Sequence, residues 1–249
     1  MTNTVDTKAH TGRTSRTDNW WLSPLLVGVG FALFIAYATV RAFENNYFEI
    51  GQFLSPFYSP KLIFDWWHFS PAILILWIPA GFRATCYYYR KAYYRAYFQT
   101  PTACSVVGTS GKGYSGETKF PLILQNAHRY FFYCAAIVLF ILWYDAIVAF
   151  ISPQGQFAPS VLGLVMVLNC ILLSGYTFGC HAGRHLCGGA LNCFSQTEQQ
   201  KVRFRIWHFV TKLNEHHMGW AWASLFSVGL TDLYVTMVAR GLATPIFFL

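Results

Sequence analysis

Five stretches of the chain are apolar for long enough to cross a bilayer, whose core of roughly 30 Å needs about 20 such residues in a helix. They lie at 20–40, 62–82, 120–151, 161–180 and 203–239, the apolar part of the last following His217. Each is bounded by polar, aromatic or Gly/Pro-containing segments, and neither an internal repeat nor a low-complexity segment interrupts the series. The pattern predicts an all-α integral membrane bundle of five transmembrane helices. The polar residues 1–19 form a tail with no apolar core of a signal peptide, read as mobile. Residues 20–249 form one membrane anchor domain. The inner segment 109–117, TSGKGYSGE, is flexible by composition.

Charge orients this bundle. Lys8, Arg13 and Arg16 precede the first stretch. Arg83, Arg90, Lys91, Arg95, Lys112 and Lys119 lie between the second and third, and Arg184, Lys201, Arg203 and Arg205 between the fourth and fifth. The other side holds only Arg41, Lys61 and Arg240. Basic loops stay in the cytoplasm, so the N terminus is expected inside, the C terminus outside, and the protein in the cell's inner (plasma) membrane as a multi-pass chain. Only 11% of residues are charged, against about 25% in a soluble domain. The net charge of +8 is therefore a matter of topology and implies no nucleic-acid partner.

Ionisable groups at membrane depth are costly and tend to be functional. They crowd the inner ends of four stretches. The second ends in Arg83, Cys86, Arg90 and Lys91; the third opens with Gln125, Asn126, His128 and Arg129. The fourth ends in Cys180, His181, Arg184, His185 and Cys187, and the fifth opens with Asn214, Glu215, His216 and His217. His181 and His185 share a face if their helix continues, as do Cys180 and Cys187. Thiolates with imidazoles suit zinc or an iron–sulfur centre. A mixed set would be of the Rieske type, with two His on one iron. The candidate ligands are Cys86, Cys180, His181, His185 and Cys187, followed by His128 and His217. The spacing differs from the loop motifs of soluble Rieske domains, and one helix does not wrap a cluster alone. The odd total of seven cysteines, mostly on the reducing side, argues against a disulfide framework. Cys134 and Cys170 read as small apolar fillers, and His10 and His208 as solvated or hydrogen-bonded.

A second polar group lies at the outer side: Asp65 and His68 beside Trp66 and Trp67, Asp145 after Trp143 and Tyr144, and Asp232 with Tyr234. A carboxylate and an imidazole among aromatic rings could exchange protons with a quinone. The competing reading is an interfacial aromatic belt.

The segments FRATCYYYRKAYYR (82–95), FPLILQNAHRYFFY (120–133), LLSGYTFGCHAGRHLCGG (172–189) and LNEHHM (213–218) resemble the membrane anchor subunit of succinate:quinone oxidoreductase, respiratory complex II. The similarity is greatest to the mycobacterial type-1 succinate dehydrogenase branch and covers nearly the whole chain after residue 19. It implies a five-helix anchor beneath flavoprotein and iron–sulfur subunits, in a complex that can form higher oligomers. It also implies electron transfer to quinone, with menaquinone as the acceptor, and a Rieske-type [2Fe-2S] cluster in the membrane part. Many anchors of the wider family hold two b haems between four His on separate helices; here the first stretch has no His, so that set is incomplete. A single haem b on two of His128, His181 and His217 stays open, as does a cofactor-free structural anchor. A small transporter would show paired repeats or helices broken near the midplane. No GxGxxG follows a strand, so no flavin site is expected, and the chain itself carries no dicarboxylate chemistry. Arg83, Asn126 and Arg129 are candidates for an inner quinone site, with Arg83 equally suited to anchoring at the headgroups. Asp65, His68 and Asp145 are candidates for an outer one.

Overall fold

A computed structural model describes residues 12–108, 116–189 and 191–248; most of the segment 109–117 thus lies outside the described residues. Within them the regular structure is helical except for one small hairpin. α1 spans Leu22–Glu44 and ends on Asn45 in the left-handed region. The hairpin pairs β1 (Glu49–Ile50) with β2 (Phe53–Leu54), Ile50 opposite Phe53, around Gly51 at φ +55°. Then follow α2 (Pro71–Ala84), α3 (Tyr87–Phe98), a 3₁₀ turn over Leu122–Ala127 that runs into α4 (His128–Val148), α5 (Val161–Phe178), α6 (His181–Gly188), α7 (Glu198–Glu215) and α8 (His217–Ala239).

Among the described residues four segments are long and apolar enough to span a membrane: α1, the 3₁₀ turn with α4, α5 and α8. Where 62–82 predicts a fifth, the helix begins only at Pro71, at the first helical position, with Ser70 capping the Ala72 N–H. Its 14 residues reach about 21 Å at 1.5 Å per residue, less than the bilayer core. The segment 55–59 before it is not surface loop: Ser55, Phe57, Tyr58 and Ser59 are all buried. Leu26, Leu33, Ile35 and Val40 on α1 and Ile137 and Phe140 on α4 are exposed, as expected of faces turned to lipid rather than water.

α5 packs against α8 and α4, α2 against α4, and α3 against the first half of α1, where Tyr97 donates to the Gly28 carbonyl at 2.7 Å. Two larger apolar clusters occupy the interior, beside a smaller one of Phe57, Tyr58 and Ala72. One, around Phe82, Tyr89, Phe132, Tyr176 and Leu225, includes Cys86 and Cys180 and lies at the end bearing the basic loops. The other, around Leu142, Met166 and Val235, includes Cys170 as a plain apolar filler. Of the tail, residues 12–18 do not hang free. Gly12 donates to the Val107 carbonyl at 2.8 Å, and Arg16 donates to the Cys104 carbonyl at 3.0 Å.

Apart from the late start of α2, the helices differ from their prediction at one recurrent place. The fourth stretch does not continue through Cys180, and the fifth is not a single helix from 203. Each breaks at the basic end, and the breaks place the chemistry.

Candidate functional site

Four helix starts converge on one cavity. Cys86 is the N-cap of α3, His128 the first residue of α4, Cys180 the N-cap of α6 and His217 the first residue of α8. The first break occurs because Thr85 turns its hydroxyl onto the Gly81 carbonyl at 2.7 Å and Cys86 becomes extended, with ψ 128°. The break between α5 and α6 occurs at Gly179. A Cβ there would lie 2.5 Å from the Gly175 carbonyl oxygen, and Asn214 Nδ2 donates to the Gly179 carbonyl at 2.8 Å. Cys180 then takes an extended conformation and accepts from the Ala182 N–H at 3.3 Å. Helix N-termini carry unpaired N–H groups and a partial positive charge, which favours thiolates.

The four side chains form two Cys/His pairs. His128 Nε2 lies 3.0 Å from Cys180 Sγ, and His217 Nε2 lies 3.6 Å from Cys86 Sγ. Thr85 Oγ1 spends its own proton on Gly81, so at 2.9 Å it accepts from His128 Nδ1. That bond holds His128 in the tautomer whose Nε2 lone pair faces Cys180. Phe82 stacks on the His128 ring at 4.8 Å and 6°; Tyr176 stacks on His217 at 5.1 Å and 17°. His217 Nδ1 is buried with no hydrogen-bond partner. Burial pushes the Cys180 thiol up to about 12, against the pull of the Ala182 and Gly183 N–H groups.

The cavity these residues line holds about 610 Å³ and also takes in Gln125, Asn126, Arg129, His181, His185 and Asn214. Of the sequence candidates, then, Cys86, Cys180, His128 and His217 come together, and His181 and His185 stand at the rim, exposed. Arg129 donates to His185 Nδ1 at 2.8 Å. Cys187, near the end of α6, does not line the cavity; its carbonyl accepts from Arg203 Nε on α7 at 3.1 Å. The i, i+4 and i, i+7 relations of His181, His185, Cys180 and Cys187 do not gather them, because Cys180 precedes the helix that carries the others.

Among the described residues no three His, Cys, Asp or Glu side chains gather closely enough to hold a single ion. Each imidazole lies beside a thiol, whereas a Rieske-type centre puts both imidazoles on one iron and both thiols on the other. The donor set, two thiols and two imidazoles, matches the chemistry of a mixed Cys/His [2Fe-2S] centre. A haem needs imidazoles without interposed thiols, whereas here each Nε2 meets a sulfur.

Arg83 turns away from the cavity into the bundle, where it lies over the Tyr176 ring at 4.5 Å. Asp65 and His68 are exposed on the segment before α2. Asp145, on α4, accepts from the Ser59 hydroxyl. No hydrogen bond or ion pair among the described residues joins these three. The buried polar centre at that end is instead Asp232, which accepts from Arg41 Nε at 2.8 Å, from Tyr37 at 2.5 Å and from Ser55. Pattern reading did not single out Thr85, Phe82 or Tyr176. Thr85 carries the one available signal, a hydroxyl next to a candidate thiol at a helix end.

Comparison with known proteins agrees with this architecture. Residues 22–241 match the family described as actinobacterial succinate dehydrogenase subunit SdhC. A chain of the Mycobacterium smegmatis Sdh1 complex in the apo form is 42% identical, with a TM-score of 0.84; the match covers 98% of this chain and 97% of that one. No curated protein matches the chain.

Proposed function

The chain belongs to the actinobacterial succinate dehydrogenase SdhC family, and from that premise we propose that it carries electrons from the iron–sulfur subunit through a Cys/His-held [2Fe-2S] cluster to menaquinone. As an SdhC subunit it is a multi-pass membrane anchor and assembles with flavoprotein and iron–sulfur subunits. The observation that carries the redox reading is the convergence of Cys86, His128, Cys180 and His217, from four helix starts, on one cavity. When bound there, a cluster of this type supplies one-electron transfer at a potential raised by its imidazole ligands. The chain's own residues do the rest. Thr85 orients His128, the Phe82 and Tyr176 rings fix the two imidazole planes, and the apolar cluster around them excludes water. Asn126 and Arg129, on the same cavity, offer hydrogen-bond donors to a quinone carbonyl. The basic loops at this end support its lying on the cytoplasmic side, where the soluble subunits would dock.

Iron and acid-labile sulfide analysis with electron paramagnetic resonance of the purified complex tests this. Cys86→Ser, Cys180→Ser, His128→Ala and His217→Ala should each abolish the membrane cluster's signal and succinate-driven quinone reduction. His181→Ala, His185→Ala and Cys187→Ser should keep both. A haem α band in the reduced-minus-oxidised spectrum, with no labile sulfide beyond that of the iron–sulfur subunit, would overturn the cluster in favour of haem b.

A further inference from the structure

Among the described residues, Arg83 is a half-buried cation in the bundle with no anion against it. Its guanidinium donates to the Tyr89 hydroxyl, to the Ala221 carbonyl at 3.2 Å and to Ser224 Oγ at 3.0 Å. It lies over the rings of Tyr176 at 4.5 Å and Tyr89 at 5.5 Å. Every one of these partners is formally neutral, and no carboxylate among the described residues forms an ion pair with it. The contrast with Arg41 is internal to the molecule: that buried arginine faces Asp232 and Glu44. A headgroup-anchoring arginine would extend toward water. Arg83 instead packs beneath Tyr176, which is itself fully enclosed, with a hydroxyl that has no partner. Tyr176 in turn stacks on His217, and Cys86 is three residues further along the chain.

A charge drawn partly out of water without a counter-charge is costly. Its cost is offset where a negative charge appears nearby in the same low-dielectric surroundings. We propose that Arg83 is the electrostatic partner of the Cys86/His217 side of the centre and sets its reduction potential through the Tyr176 stack. The charge balance gives the sign. Two ferric ions, two sulfides and two thiolates, with neutral imidazoles, sum to zero. One electron from the iron–sulfur subunit leaves one negative charge. Arg83 therefore stabilises the reduced form and barely touches the oxidised one, which raises the potential. Arg83 is a positioning residue in this sense: it touches neither substrate nor iron, and its effect is read in a potential.

This inference rests on the cluster proposed above, and the test separates the two. The whole complex is titrated electrochemically while the cluster's paramagnetic signal is followed. Arg83→Met should shift the reduction equilibrium toward the oxidised form by tenfold or more, about 59 mV for a one-electron couple. Arg83→Lys should restore most of the shift. Should Arg83→Met fail to assemble, Ser224→Asp carries the same test: it keeps Arg83, pairs its charge at a place where the contact already exists, and should also lower the potential. Labile sulfide should stay at the unsubstituted level in each variant scored. An intact cluster whose potential ignores both Arg83→Met and Ser224→Asp would overturn this inference alone. A wild-type complex without a membrane cluster would overturn both.

Discussion

His128 Nε2 faces Cys180 Sγ at 3.0 Å although the two residues are 52 positions apart, and Thr85, on a third helix, decides which way the imidazole is protonated. The order of the hydrogen bonds matters: Thr85 gives its proton to Gly81 and accepts from His128. Thr85→Val keeps the shape and removes the acceptor. Loss of such an outer partner typically weakens metal binding by about 10–100-fold. Thr85→Ser should hold its cluster under chelator challenge as the unsubstituted protein does, while Thr85→Val releases iron and labile sulfide. Equal release rates for the two variants would show that the tautomer does not depend on this hydroxyl.

The break before Cys180 depends on the absence of a side chain at position 179. A Cβ there would meet the Gly175 carbonyl oxygen at 2.5 Å and the Leu213 Cβ at 3.1 Å. The first obstacle is backbone and does not swing aside. Gly179→Ala should cost on the order of 1–3 kcal/mol through overpacking and displace Cys180. The expected result is a lower heat-unfolding midpoint of the solubilised complex together with reduced labile sulfide. Retention of both would mean that α5 and α6 shift together at little cost.

At the opposite end, Asp232 on α8 is fully buried and takes its charge balance from Arg41 on α1. Ser55 and Tyr37 complete its shell, so this one carboxylate ties α8 to α1 and to the enclosed 55–59 segment. Breaking a buried pair from one side leaves an uncompensated charge, at a cost of about 3–5 kcal/mol. Arg41→Met and Asp232→Leu should each destabilise the subunit strongly. The double substitution should recover much of the loss, since both charges then leave together. Additive losses in a double-mutant cycle of thermal unfolding would argue against direct coupling.

Asp65 and His68 stand exposed before α2, while Asp145, on α4, is held by Ser59. His68→Phe keeps an aromatic surface for the interface and removes the titratable nitrogens. Succinate-driven quinone reduction, and its response to an uncoupler, are expected to match the unsubstituted complex. A changed uncoupler response would return His68 to proton exchange at the outer side.

The sequence by itself determined that this is a helical membrane protein, which end carries the basic loops, and that its thiols and imidazoles collect there. Those properties follow from local composition: about 20 apolar residues in a row span a bilayer wherever they occur, and Lys and Arg count by loop. The resemblance of four polar segments to a complex II anchor was legible for the same reason, since motifs are contiguous. The pairing of thiols with imidazoles was not. His181, His185, Cys180 and Cys187 look like one site when the helix is drawn straight through Gly179, because periodicity assumes an unbroken helix. Whether it breaks depends on contacts from elsewhere, namely Asn214 on the Gly179 carbonyl and Leu213 against its missing Cβ. In the same way 62–82 reads as one span, yet Ser70 and Pro71 start the helix late and the buried 55–59 segment fills the space above it. Cys86 and His217, 131 residues apart, and Arg83 with no acid beside it are facts of packing. Only the tertiary structure sets two helix starts face to face, and only it shows which charges in a low-dielectric interior have partners.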